Sequence, residues 1–128
     1  TFDPDALDVF WNVHYFPDVV AVEKMRYPQI GRITDILGGR SDVIKIPVPF
    51  DCRDGFQEAF YGRPEAFLQQ EVRRSQSAWG FIAPETEMKM VEALADDLAS
   101  GRWDSHYGEH RNLPEFIGAL RLITASSN

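Results

Sequence analysis

The chain has 128 residues, 44% of them hydrophobic and 26% charged, which suits one domain with a single core and argues against wholesale disorder. Its 13 basic residues against 20 acidic ones give a net charge of -7, a field that repels polyanions, and its densest basic run, Arg73-Arg74, is too short to track a phosphate backbone. One cysteine, no apolar run near the ~20 residues of a membrane span and no signal-peptide pattern at the start point to a reducing, cytoplasmic setting with neither a membrane nor a nucleic-acid partner.

Asp3-Pro4 reads as a helix start, with Asp3 as the capping acceptor and Pro4 where a missing N–H costs nothing. Ala6, Leu7, Phe10, Trp11 and His14 then form one apolar and aromatic stripe, closed near Phe16 by Pro17. Val19 to Met25 is apolar with two charges at its end and too short to type. Ile30, Ile33, Ile36 and Leu37 give a second amphipathic helix, capped by Gly38-Gly39.

Ser41 to Phe50 is the best strand, rich in Val and Ile, with an open side or a break expected at Pro47. Asp51 to Gly55 reads as a turn. Pro64 begins a helix to about Ser75 with Phe67, Leu68 and Val72 inward, and Ser77 to Ile82 is an aromatic connector. Pro84 opens the strongest helix, with Met88, Val91, Leu94, Ala95 and Leu98 on its inner face and Gly101 as its stop. Residues 102–112 read as a polar and aromatic loop, Glu115 to Ala125 as a second strand, and Ser126-Ser127-Asn128 as a frayed tail.

A lone strand pair is marginal in water, and the first strand is nearly continuously apolar, as in strands covered on both faces. We therefore expect another part of the protein, or a second copy, to pack against or extend this sheet. The missing initiating Met suggests that something upstream was removed, though alone it fits ordinary processing equally.

Several blocks carry a family resemblance. They are Thr1-Phe2-Asp3-Pro4, Ala6 to Trp11 with Tyr15-Phe16-Pro17, and Val48-Pro49-Phe50-Asp51-Cys52-Arg53-Asp54-Gly55-Phe56. Ala59 to Leu68, Asp96 to Trp103 and Leu120 to Ala125 continue the series. Together they resemble the carboxy-terminal portion of class I methyltransferases that use S-adenosylmethionine, in the small-molecule group. The resemblance implies an α/β fold: the C-terminal fragment of a Rossmann-like sheet, contributing helices and its last two antiparallel strands. Within 1–128, it implies a helical substrate-cover segment over 1–28 and the terminal strand pair with intervening helices over 29–128.

The family's glycine-rich donor loop, placed between a strand and a helix, has no counterpart: Gly38-Gly39 follows a helix and precedes a strand. S-adenosylmethionine would thus be bound by the absent half of a full-length parent, and this fragment is expected to hold no cofactor and to be inactive alone. Its partner would be a small organic acceptor, and an exposed strand edge would invite pairing between copies. The competing expectation is a non-enzymatic oligomerisation or protein-interaction domain.

No residue stands out as catalytic or metal-binding. His106, Glu109 and His110 lack the spacing of a zinc helix, and Cys52 has no local histidine. Asp51, Asp54 and Glu58 do not match a calcium loop. Aromatic walls can position a flat acceptor, and the resemblance of their segment to the substrate cover makes Trp11 and Tyr15, with His14 beside them, the candidate substrate-binding residues.

Overall fold

The computed structural model describes residues 1–126, so Ser127 and Asn128 of the expected tail lie outside the described residues. The α-helices are α1 (Asn12–Tyr15), α2 (Pro17–Arg26), α3 (Ile30–Leu37), α4 (Gln70–Arg74), α5 (Pro84–Ser100) and α6 (Arg102–Tyr107). The strands are β1 (Arg40–Lys45), β2 (Val48–Pro49), β3 (Glu115–Phe116) and β4 (Arg121–Ser126). Short 3-10 helices fill much of the remainder, at Pro4–Val9, Gln57–Phe60, Pro64–Leu68, Ser77–Phe81 and Gly108–Asn112. The chain is α/β, with two small antiparallel sheets, β1 with β4 and β2 with β3.

The expected first helix does start at the Asp3 cap, whose carboxylate accepts from the Asp5 amide at 3.0 Å. It breaks at Phe10, whose backbone is extended. The break has a packing cause: Phe10, Trp11 and Asn12 are all buried, and on a continuous helix three successive side chains span about 200°, more than one face. The untyped Val19 to Met25 segment belongs to α2, with Pro17 in its first turn, Asp18 at its start and Lys24 and Arg26 at its end, as the helix dipole favours.

Both expected strands are shorter and interrupted. Ile46-Pro47 separates β1 from β2, and residues 117–120 separate β3 from β4. Ser126 belongs to β4 rather than to a tail, and pairs with Arg40. The register runs from Arg40 opposite Ser126 to Lys45 opposite Arg121, which sets Ile44 beside Leu122. Both of these are about half exposed, at 46% and 49%. Val43, Ile36 and Leu37 are likewise exposed. Val43 and Ile44, on opposite faces of β1, are therefore only half covered by the described residues, so their full burial would have to come from elsewhere.

Further readings are corrected. Residues 102–112 are helical, because Trp103 is fully buried and anchors α6 beneath α5. Met88 is 62% exposed, and Met90 takes its place beside Val91, Leu94 and Leu98 on the inner face of α5. The inner stripe follows the partners of α5, which are the 3-10 helix Pro64–Leu68, α1 and α6. Leu68 faces solvent, while Arg73 is buried, donating to the Phe67 carbonyl at 2.7 Å and lying 5.8 Å from the Trp79 ring centroid. Gly101 does cap α5, in the left-handed conformation at φ +82°.

The core is aromatic. Trp11 packs edge-on against Trp103 at 5.3 Å and Phe67 at 5.7 Å, and Phe16 against Trp79 at 4.9 Å. Such tilted contacts add about 0.5–1.5 kcal/mol each beyond the area they bury.

Candidate functional site

The three residues singled out in the sequence sit together on and behind one groove. His14 and Tyr15, from α1, line it with Asp97 of α5 and Arg102, His106 and Tyr107 of α6. The Tyr15 hydroxyl donates to Asp97 Oδ2 at 2.7 Å, and burial followed by that bond holds its phenol well above the usual range. His14 is exposed and stacks on Tyr107 at 6.0 Å. Trp11 lies behind Tyr15, 2% exposed, with its indole N–H donated to the Tyr61 carbonyl at 2.9 Å.

A second recess carries more unusual electrostatics. Its walls come from the start of the chain (Phe2), the Pro4–Val9 segment (Leu7), Phe10, α1 (Asn12), α2 (Val20, Glu23, Tyr27) and the 56–58 segment (Phe56, Gln57, Glu58). It is small, with room at its centre for about one water-sized group. Phe2 is fixed there by its bridge to Leu120 and lies between Tyr27 and Phe56, at 5.3 and 5.5 Å. The recess shares Glu23, Tyr27, Phe56 and Gln57 with an outer groove, lined further by Gly55, Ser75, Gln76 and Ser77.

Glu58 is 3% exposed, and burial pushes its carboxyl up to about 7. Its main relief is the Ala119 amide, which lies 2.8 and 2.9 Å from its two oxygens, so a single N–H is shared between both. Glu23 and Arg121 act on it in opposite senses, raising and lowering. The close approach needs glycine at 118: a Cβ there would come within 1.6 Å of Glu58 Oε2. Burial also raises the Glu23 carboxyl, against the bond from Gln57 and the charge of Arg26. Gln57 donates to Glu23 at 2.9 Å and accepts from Asn12 Nδ2 at 2.6 Å.

The carboxylates of the Asp51, Asp54 and Glu58 set are not brought together, since Asp51 and Asp54 are exposed. Glu58 meets Glu23 instead. The signal was present but hidden: once Val19 and Val20 face inward on a helix, Glu23 falls on their face, three and four residues later. Asn12 and Gln57 carried no such mark. His106 and His110 each bond a local carbonyl, of Arg102 and Tyr107, and among the described residues no group of three or more His, Cys, Asp or Glu could hold a metal.

The chain matches no family model and no curated protein. Its fold is structurally related to a methyltransferase. The likeness is to the crystal structure of a "Putative methyltransferase from antibiotic biosynthesis pathway" of Anabaena variabilis ATCC 29413, with a TM-score of 0.89 and 29% identity, over 98% of this chain and 52% of that one. The chain thus spans about half the length of the solved protein it matches.

The residues present do not fit a donor site for S-adenosylmethionine. Among the described residues the glycines with positive φ are Gly38, Gly39 and Gly101: the first two lead from α3 into β1 and the third joins α5 to α6. None opens the strand, glycine turn and helix arrangement that cradles a nucleotide. No described helix is long and apolar enough to cross a membrane.

Proposed function

We propose that this chain is the acceptor-side, C-terminal part of an S-adenosylmethionine-dependent methyltransferase acting on a small organic molecule in the cytoplasm. The observation that carries the reading is the likeness over 98% of this chain and only about half of a protein described as a methyltransferase. The half-exposed apolar pair Ile44 and Leu122, which share one face of the β1–β4 sheet, supports it, because further sheet or helix from the other half would cover them. In this reading the other half binds the methyl donor, and the present chain supplies scaffold and pocket. Tyr15 and His14 line an acceptor groove, and Trp11 fixes Tyr15 from behind.

Catalysis would then come largely from holding the accepting atom in line with the donor, which is proximity and orientation. The residues of this chain contribute walls that exclude water and polar groups that orient the acceptor. Alone, the chain is inactive.

The test is calorimetric titration with S-adenosylmethionine of a protein that joins this chain to its other half, and of residues 1–128 alone. Binding by the longer protein only is the expected result. A folded longer protein that does not bind overturns the reading and leaves an oligomerisation or interaction domain, for which the same bare sheet face would serve as the contact surface.

A further inference from the structure

We propose that the recess between Glu23 and Glu58 is an amine site, taking the primary ammonium end of a small organic ligand whose body lies in the adjoining groove. The argument starts from hydrogen-bond direction. An ionised carboxylate only accepts, so Glu23 fixes Gln57 as a donor to it, and Gln57 Oε1 then accepts from Asn12 Nδ2. The relay ends on Asn12 Oδ1, which is buried and has no donor among the described residues. Asn12 itself is 2% exposed and lines the recess.

Three residues with acceptor groups therefore line one small space: Asn12 with its amide oxygen, and Glu23 and Glu58 with their carboxylates, the two oxygens of Glu58 sharing one amide. What the space lacks is positive charge: the donor its walls add is the Tyr27 hydroxyl, which is neutral. The charges that act on these carboxylates from outside are Arg26, which donates to Ser77, and Arg121, which donates to the Gly118 and Leu120 carbonyls. Neither lines the recess.

An ammonium group matches on each count. It brings three N–H donors and one positive charge in about the volume of a water, and the Phe2, Tyr27, Phe56 and Phe10 rings beside it favour a cation. The shared lining sets the outer groove against the recess, where the rest of the ligand would lie. A bound ammonium has no free lone pair, so the site anchors the ligand and leaves any methyl-accepting atom on its body. That last point rests on the methyltransferase reading, whereas amine binding does not.

The experiment is calorimetry on the protein carrying residues 1–128 at about pH 8, where Glu58 is ionised. Benzylammonium is the probe, with benzyl alcohol as its neutral counterpart and tetramethylammonium as a cation without donors. Saturable 1:1 binding of benzylammonium is expected, at least ~10-fold tighter than either control, the factor for losing a hydrogen bond to a charged group. Glu23→Gln should weaken it by ~10-fold or more with unchanged near-ultraviolet circular dichroism, and Asn12→Ala should weaken it too. If Glu23→Gln does not fold, Glu58→Gln takes its place with the same expectation. Absent binding, equal binding of the alcohol or of tetramethylammonium, or an unaffected folded carboxylate variant overturns the proposal. Loss of the amine site with donor binding intact in the longer protein removes this inference alone. Donor failure with amine binding intact removes the methyltransferase reading and leaves an amine-binding chain.

Discussion

Replacing Glu58 by Gln keeps the shape and one acceptor for the Ala119 amide while removing a titrating group from the interior. In the folded chain the carboxyl sits at about 7 against an ordinary 4.5, because burial at 3% exposure disfavours its charge. The folded state therefore holds its proton more tightly than the unfolded state does. The associated stability is fully present below about pH 4.5, declines as pH rises, and is gone above about pH 7. A shift of that size corresponds to about 3 kcal/mol, most of it falling between about pH 4.5 and pH 7. Unfolding in urea at several pH values in that range reads it directly. Wild type should lose about 2–3 kcal/mol relative to Glu58→Gln across the range, so the difference between the two stability curves changes by that amount rather than staying constant. The raised Glu23 carboxyl adds a slope of the same sign to both proteins, and cancels to first order in the comparison. Parallel curves would show that Glu58 is already ionised at the acid end, and the argument from burial would fail.

Two further outcomes are expected. Trp11→Phe trims a buried ring and leaves the Tyr61 carbonyl without its 2.9 Å donor, so it should cost about 2–4 kcal/mol in chemical denaturation; a loss under about 0.5 kcal/mol would contradict the packing described. Ile44→Thr lies on the bare sheet face and should change the stability of residues 1–128 by no more than about 0.5 kcal/mol, yet cost about 1–3 kcal/mol in the longer protein, where the hydroxyl would be buried; small effects in both would remove the support drawn from that face.

Local chemistry made much of the architecture legible. Asp3 and Pro4 start the first helical segment, Gly38 and Gly101 end α3 and α5, and Pro47 interrupts the long apolar strand, each because a dihedral or a missing donor acts within a few residues. The antiparallel partnership of the two late strands was legible through the family resemblance, and its residue-by-residue register comes from the structure.

Tertiary packing decided the rest. Adjacent Phe10, Trp11 and Asn12 could all be buried only by breaking the helix expected to carry them, and the partners of α5 turned Met90 inward where Met88 was expected. The recess between Glu23 and Glu58 lies furthest from sequence patterns, since its walls come from residues 2 to 58 and its key amide from Ala119. A carboxylate becomes unusual when it loses water, and which carboxylates lose water depends on how distant segments close over them, a property of the folded chain that no spacing along it encodes.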